Sequence, residues 1–309
     1  MPVRLALGLG LFLGSLLTGW SLGRSGWLTP ERAHRLIRFV VRCVSPLVLC
    51  LLFWRLQLRD ARTLTLPLIG LAVMVAAIPP AWLYARQAGL SRPQAGSFLT
   101  CAIFSNVGYM GAFISFALFG EPGYALATLY FVFFNPCFFL LGFTVAKRFG
   151  APIAVSSTPG VGADELRLFP FLGLCVGVLL NLAKIPRPPA CELVNHLLIP
   201  MDTALYVTAI ASQLQFEPLA AWWRPGLAMS AIKFLYCPLI GWLLASALRI
   251  EPVAKAIVMI EASTPVAVSP LMLPLVFGLD RRLSNALWLW TTLLAIPVLV
   301  LGLPFLISH

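Results

Sequence analysis

Long apolar runs follow one another along almost the whole chain, and they constrain its fold more than any other feature. Stretches of roughly 17–25 residues with few charges are long enough to cross a bilayer as helices. A spanning segment must satisfy its own backbone hydrogen bonds, and the chain lacks the alternating ten-residue segments of an outer-membrane barrel. The sequence therefore predicts ten helical spans, at residues 3–19, 37–54, 64–84, 96–119, 123–146, 168–182, 193–214, 227–248, 253–277 and 283–307.

The composition is typical of a polytopic membrane protein and excludes a soluble domain. Hydrophobic residues make up 60% of the chain and charged residues 11%, and the mean hydropathy is +0.92. The net charge of +11 does not indicate a nucleic-acid partner, because the basic residues are spread over the loops without an aromatic-interleaved patch. The loops after the odd-numbered spans carry more Lys and Arg than the opposite side, which favours both termini outside.

Two of the apolar runs contain the same polar pattern with the same spacing. The pattern consists of Ser105, Asn106, Phe119 and Gly120 in the first copy and of Ser263, Thr264, Phe277 and Gly278 in the second. Helix-breaking residues follow each polar pair, namely Gly108 and Gly111 in the first copy and Pro265 and Pro270 in the second. Paired interrupted segments in two halves point to the binding site of a secondary transporter. We expect breaks at 106–111 and 264–270 that lie within reach of each other.

The chain divides at a polar stretch rich in proline and glycine that runs from Arg148 to Arg167. We predict a first five-helix repeat at 1–147, a linker at 148–166 and a second five-helix repeat at 167–309. An odd number of spans in each half forces the second half to enter the membrane in the opposite direction. The predicted fold is therefore an all-α membrane protein of ten transmembrane helices in two inverted repeats, with broken and crossing helices 4 and 9.

Two segments resemble the auxin efflux carrier family, which includes plant auxin exporters and bacterial permeases. Residues 104–113 (FSNVGYMGAF), followed by 118–130 (LFGEPGYALATLY), resemble its fourth helix. Residues 261–270 (EASTPVAVSP), leading to 277–280 (FGLD), resemble its ninth-helix proline motif. The resemblance implies the fold of bile acid:sodium symporters, in which helices 4 and 9 are unwound and cross. It further implies that a core domain moves against a scaffold of helices 1, 2, 6 and 7, and that the protein lies in a bacterial inner membrane.

The chain departs from the family pattern in its seventh span. Ala204 and Ala211 stand there where relatives have proline and glycine, so substrate specificity does not carry over from the family. Conversely, Ser105, Asn106 and Glu261 resemble the arrangement that holds Na⁺ in bile acid symporters. No other metal site is predicted, and the coupling ion stays open between H⁺ and Na⁺.

Two acidic residues, Asp202 and Glu261, lie well inside predicted spans. A charge at bilayer depth costs at least ~2.5–3.5 kcal/mol on insertion scales, so such groups usually face a cavity or a partner. Glu261 follows Pro252 by nine residues, about 13 Å along a helix, which places it close to the middle of its span. We predict that it binds a coupling ion or proton, with a structural carboxylate as the alternative. Asp202 is a further candidate, with pairing to another helix as its alternative.

The remaining candidate site residues belong to the repeated pattern. Asn106 offers an acceptor and two donors, which suits a site where the backbone groups of a broken helix also need partners. Its alternative is an interhelical hydrogen bond. The hydroxyls of Ser105, Ser263 and Thr264 are weaker candidates, because such groups also pack helices or bond to carbonyls. The other members of the candidate site are Gly108 and Pro265.

One basic residue within the eighth span has two interpretations. Lys233 either contributes to the site or snorkels its ammonium toward the membrane surface.

These features predict a secondary active transporter that moves a small organic anion, a carboxylate, by alternating access. The N-termini of the half-helices would direct their positive dipole ends toward the anion. H⁺ or Na⁺ is the expected coupling ion, and no other cofactor is expected. The expected partners are the substrate and the lipid bilayer, without nucleic acid, and a homodimer stays open.

The alternatives are a sodium-coupled carrier of the bile acid symporter type and, from another class, a channel or a membrane receptor. An enzyme is disfavoured, because the chain has three histidines and neither an H-E-x-x-H nor a G-x-G-D motif.

Overall fold

A computed structural model describes residues 2–56, 61–150, 163–214 and 218–299, and within these ranges it contains helices and no β-strand. Most of the predicted linker at 148–166 lies outside the described residues, as do residues 300–307 of the last predicted span. The α-helices of the described ranges are α1 Pro2–Arg24, α2 Pro30–Phe39, α3 Ser45–Arg55, α4 Leu66–Ala76, α5 Ile78–Gln87, α6 Arg92–Ile103, α7 Ala112–Tyr130, α8 Phe134–Cys137, α9 Phe143–Phe149, α10 Ala163–Leu182, α11 Ala190–Ala211, α12 Trp223–Ala231, α13 Cys237–Ala247, α14 Pro252–Ala262, α15 Leu273–Phe277 and α16 Arg281–Pro297.

Short π-helical and 3₁₀ turns join several of these α-helices. The π-helical turns are Val40–Val44, Val107–Gly111, Phe138–Gly142 and Ile232–Tyr236, and the 3₁₀ turns are Ala61–Thr65, Leu219–Trp222 and Ser269–Met272. A π turn inserts an extra residue into an α-helix and often marks a functional position. Two of them, Val107–Gly111 and Ile232–Tyr236, contain candidate site residues.

Five helical stretches of the described residues are long and apolar enough to cross a membrane, which agrees with an all-α membrane protein. They are Pro30–Arg55, Arg62–Gln87, Val107–Phe149, Ala190–Ala211 and Leu219–Ala247. The stretch Val107–Phe149 has 43 residues, about twice the length that one crossing needs. The ten predicted spans and the inverted repeat stay predictions.

Glycines with positive φ end the helices at both copies of the Phe-Gly pattern. Gly120 has φ 68° and ψ −156° and interrupts α7, and Gly278 has φ 68° and ψ 34° and follows α15. A side chain at such angles is strained, so both positions favour glycine. After the second glycine, Asp280 caps the start of α16, because its side chain accepts a hydrogen bond from the backbone N–H of Leu283 at 2.9 Å.

The chain forms two compact units, and each draws on both predicted halves. The first unit contains Met1–Arg59, Phe113–Ala125 and Ser157–Leu214. In it α10 packs on α3 and α1 packs on α11. Glycines spaced by four residues, Gly19 with Gly23 and Gly173 with Gly177, allow this close approach. A Cβ on Gly173 would lie 2.1 Å from the carbonyl oxygen of Pro46, and one on Gly19 would lie 2.2 Å from that of Thr208. Small residues at this spacing are typical of helix packing in membranes.

The second unit contains Asp60–Ala112, Leu126–Ser156 and Gln215–His309. In it α6 packs on α5, α9 and α16, while α13 packs on α14 and α4. Aromatic side chains fill part of its core, and the ring of Phe104 makes edge contacts with Phe134 and Phe138 at centroid distances of 5.4 and 5.2 Å. This core surrounds the end of α6, where the candidate site begins.

Candidate functional site

Two helices of the second unit are interrupted at the predicted polar pairs. Helix α6 ends at Ile103, and helical structure resumes with the turn Val107–Gly111. Helix α14 ends at Ala262, and helical structure resumes with the 3₁₀ turn Ser269–Met272. We call residues 104–106 and 263–268 together the crossover.

Backbone hydrogen bonds join the two interruptions directly. The N–H of Asn106 donates to the carbonyl of Pro265 at 2.7 Å, and the N–H of Ala267 donates to the carbonyl of Phe104 at 3.0 Å. Ser105 and Val266 thereby form an isolated antiparallel bridge. A broken helix leaves backbone groups without intrahelical partners, and here each break supplies partners for the other. The predicted breaks are thus present and in contact.

The first break lies slightly before the predicted range 106–111. The carbonyl of Asn106 accepts hydrogen bonds from the N–H groups of Met110 at 3.2 Å and Gly111 at 3.1 Å. This wide turn keeps residues 107–111 helical, so the non-helical backbone of the first break is confined to 104–106. The glycines at 108 and 111 therefore lie inside the resumed helix rather than in the break.

The hydroxyl residues of the second break differ in their roles. Thr264 donates from Oγ1 to the carbonyl of Glu261 at 2.7 Å and so caps the end of α14. This is the bond to a carbonyl that was the alternative interpretation of Thr264. Ser263 is 1% exposed, and its Oγ has no hydrogen-bond partner among the described residues. A third hydroxyl, on Thr291 of α16, accepts from the N–H of Val266 at 3.1 Å and was not predicted from the sequence.

Lys233 lies at the first break with its side chain fully buried. It belongs to the π turn Ile232–Tyr236 and is 0% exposed. Its Nζ donates to the carbonyl oxygen of Ala102 at 2.6 Å and to Oγ of Ser105 at 2.7 Å. Of the two interpretations of this residue, the contact with Ser105 supports membership of the site. The ammonium does not snorkel.

The carboxyl group of Glu261 packs against the backbone of the first interrupted helix. Glu261 is 0% exposed, and a Cβ on Gly111 would lie 2.2 Å from its Oε2 and 2.7 Å from its Cδ. Only glycine leaves space for the carboxyl group at this point. Glu261 therefore reaches from the end of α14 to the turn Val107–Gly111, which contains the candidate Gly108. Asn106, just before that turn, is 5% exposed.

A small cavity adjoins these residues. It has room for about one water molecule. Its polar lining comes from Ser105, Tyr130 and Glu261, and its apolar lining includes Phe131 and Phe134. No group of three or more His, Cys, Asp or Glu side chains among the described residues could hold a metal ion.

Asp202 belongs to the first unit, whereas the residues of the crossover belong to the second. It is 3% exposed on α11, and Ser45 at the start of α3 donates from Oγ to its Oδ1 at 2.6 Å. This is the pairing to another helix that was the alternative interpretation. Asp202 is thus held by a neighbouring helix of its own unit.

The buried ion pair of Glu121 was not predicted from the sequence. Arg187 donates from Nη1 and Nη2 to the two carboxylate oxygens of Glu121 at 2.8 and 3.0 Å, and their side chains are 5% and 9% exposed. Burial alone would lower the pKa of Arg187, but its bonds to Glu121 raise that pKa above its ordinary value. The position of this acid directly after the Gly120 turn is the sequence feature that could have indicated such a pair.

No protein-family model matches this chain, and no curated protein matches it.

Proposed function

We propose that the protein is a secondary active transporter of the auxin efflux carrier type, which moves a small organic anion by alternating access. The observation that carries this proposal is the crossover itself, where two broken helices exchange backbone hydrogen bonds beside a buried acid and a buried lysine. Irregular backbone at membrane depth is tolerated where it is enclosed by protein or lines a cavity. In secondary transporters such interrupted helices form the substrate and ion sites.

The division of the chain into two units supports the family resemblance. The first unit contains the predicted spans 1, 2, 6 and 7, which the resemblance assigns to the scaffold, together with 113–125. The second contains spans 3, 8 and 9, the first part of span 4, span 5 from residue 126 onward, and the described part of span 10.

The proposed substrate is a small carboxylate. Helices resume immediately after both breaks, and the first N–H groups of a helix carry the partial positive charge that binds anions. Asn106 adds a side-chain amide at this point. The cavity holds about one water, so a substrate enters only in a conformation that opens the site further. Transport then requires the conformational change that alternating access supplies.

Glu261 is the proposed site of the coupling ion, which is H⁺ or Na⁺. Its carboxyl group lies at 0% exposure next to the crossover, where its charge state or a bound cation would affect the packing of both broken helices. The proposed location is a bacterial inner membrane with both termini outside, which the loop charges favour. A homodimer is compatible with this function, which does not require one.

A transport screen in proteoliposomes tests the function. Labelled mono- and dicarboxylates would be offered under imposed proton or sodium gradients, with protein-free liposomes as the control. The proposal expects saturable uptake of at least one carboxylate, accelerated by unlabelled substrate on the other side. Flux that neither saturates nor shows this acceleration would instead indicate a channel, and binding without flux would indicate a receptor.

A further inference from the structure

We propose that Lys233 is a built-in cation that occupies a cation site at the end of α6, so that the crossover functions without bound sodium. The inference rests on the proposed function in that it names the coupling chemistry of the same crossover. It chooses between the two ions that the sequence leaves open. A crossover without bound sodium also distinguishes this protein from sodium-coupled carriers of the bile acid symporter type.

The position of the ammonium is one where a free cation would otherwise bind. The last carbonyl groups of a helix have no intrahelical partner, and the C-terminus carries a partial negative charge. Ala102 belongs to the last turn of α6, and its carbonyl oxygen accepts from Lys233 at 2.6 Å. The hydroxyl of Ser105 accepts at 2.7 Å. A carbonyl and a hydroxyl oxygen at a helix C-terminus are the kinds of ligand that hard cations prefer.

The burial of Lys233 fits a site that holds a positive charge, because its Nζ keeps two hydrogen bonds there. A buried ammonium is costly unless it is hydrogen-bonded and compensated by nearby charge. Both bonds are short, as charge-assisted hydrogen bonds are. Ser105, which Lys233 contacts, lines the same cavity as Glu261 and Cys237. A metal cation at the two oxygens would have to displace the ammonium, because the two positive charges would repel each other.

Sodium dependence of the unmodified protein is the first test. Thermal stability of the purified protein would be measured in sodium chloride and in choline chloride at equal ionic strength. An ion that binds only the folded state raises its stability by mass action. The proposal expects the same melting temperature in both salts, within the error of replicate melts. A sodium-specific rise that saturates with concentration would overturn it.

Chemical rescue of Lys233→Ala is the second test. This substitution removes the atoms of an n-propylammonium ion from a buried site, so added n-propylammonium should restore part of the lost thermal stability. The neutral 1-propanol has nearly the same shape and should restore less. Lys233→Met fills the space without a charge and should respond to neither compound. Lys147→Met, at an exposed position of α9, should melt like the unmodified protein.

The two tests give distinct contradicting results. Equal rescue by the ion and the alcohol would mean that Lys233 only fills space, and no rescue by either would mean that the site does not bind a cation. Either result overturns the proposal. The sodium comparison needs no variant, so the proposal stays refutable if Lys233→Ala does not fold. Neither readout needs a substrate, so cation rescue without any carboxylate transport would contradict the proposed function alone.

Discussion

Gly111 and Gly108 lie in the same π turn, yet substitution by alanine should affect them very differently. A Cβ on Gly111 would lie 2.2, 2.7 and 2.8 Å from Oε2, Cδ and Oε1 of Glu261. All three distances are shorter than carbon contacts allow, and the carboxyl group is fully buried. A Cβ on Gly108 would meet only Cζ of Phe131, at 4.0 Å, which is an ordinary contact.

The magnitude follows from two opposing terms. Replacing glycine by alanine within a helix raises the free energy of unfolding by roughly 0.5–1 kcal/mol. Overpacking a buried site costs about 1–3 kcal/mol. Gly108→Ala gains only the first term, whereas Gly111→Ala also incurs the second. We expect the free energy of unfolding of Gly111→Ala to be about 1–3 kcal/mol lower than that of Gly108→Ala.

The assay is thermal unfolding of both purified variants beside the unmodified protein in the same detergent. A shortened acid supplies a second comparison, because Glu261→Ala removes the atoms that the new Cβ would meet. In that background Gly111→Ala should lose most of its penalty, as expected for residues in contact. Equal melting of the two alanine variants would show that the carboxyl group of Glu261 does not pack on Gly111.

Three further variants test the architecture and the site. Gly120→Ala should lower the free energy of unfolding by about 1–3 kcal/mol, because φ 68° and ψ −156° suit only glycine; Gly14→Ala, with open space around it, is the control in thermal melts. Arg187→Met should destabilise the protein by about 3–5 kcal/mol, because it leaves the buried carboxylate of Glu121 unpaired. Adding Glu121→Gln should recover part of this loss, and the absence of any recovery would contradict this explanation. Asn106→Ala should reduce carboxylate uptake without changing the melting temperature, and unchanged uptake would make Asn106 structural.

The helical fold could be predicted from local properties of the chain. Apolar runs long enough to span a bilayer require helices, and polar pairs followed by glycine or proline require interruptions. Both interruptions are present, and Asn106 and Pro265 are joined across them. The start of the first break was misplaced by two residues, because glycine is a common helix breaker but the turn after Asn106 remains helical.

Contacts between distant segments could not be predicted in the same way. The sequence identified Lys233 and Glu261 as unusual charges within apolar spans, but the rotation of each helix decides which neighbour a side chain meets. The bond from Lys233 to Ser105 joins residues 128 positions apart. The bidentate pair of Glu121 and Arg187 joins residues 66 positions apart. Neither partner has a local pattern that specifies the other.

Gradient-driven transport by Glu261→Gln tests the central claim most directly. This variant keeps the shape of the side chain but removes its titratable charge, and Glu31→Gln at an exposed position of α2 is the matched control. In proteoliposomes that hold equal amounts of each protein, carboxylate accumulation under an imposed ion gradient and exchange of substrate for substrate would be measured side by side. We predict that Glu261→Gln loses accumulation and retains exchange, because exchange does not require the ion cycle to be completed. Full gradient-driven accumulation by Glu261→Gln would contradict the assignment of Glu261 as the coupling site.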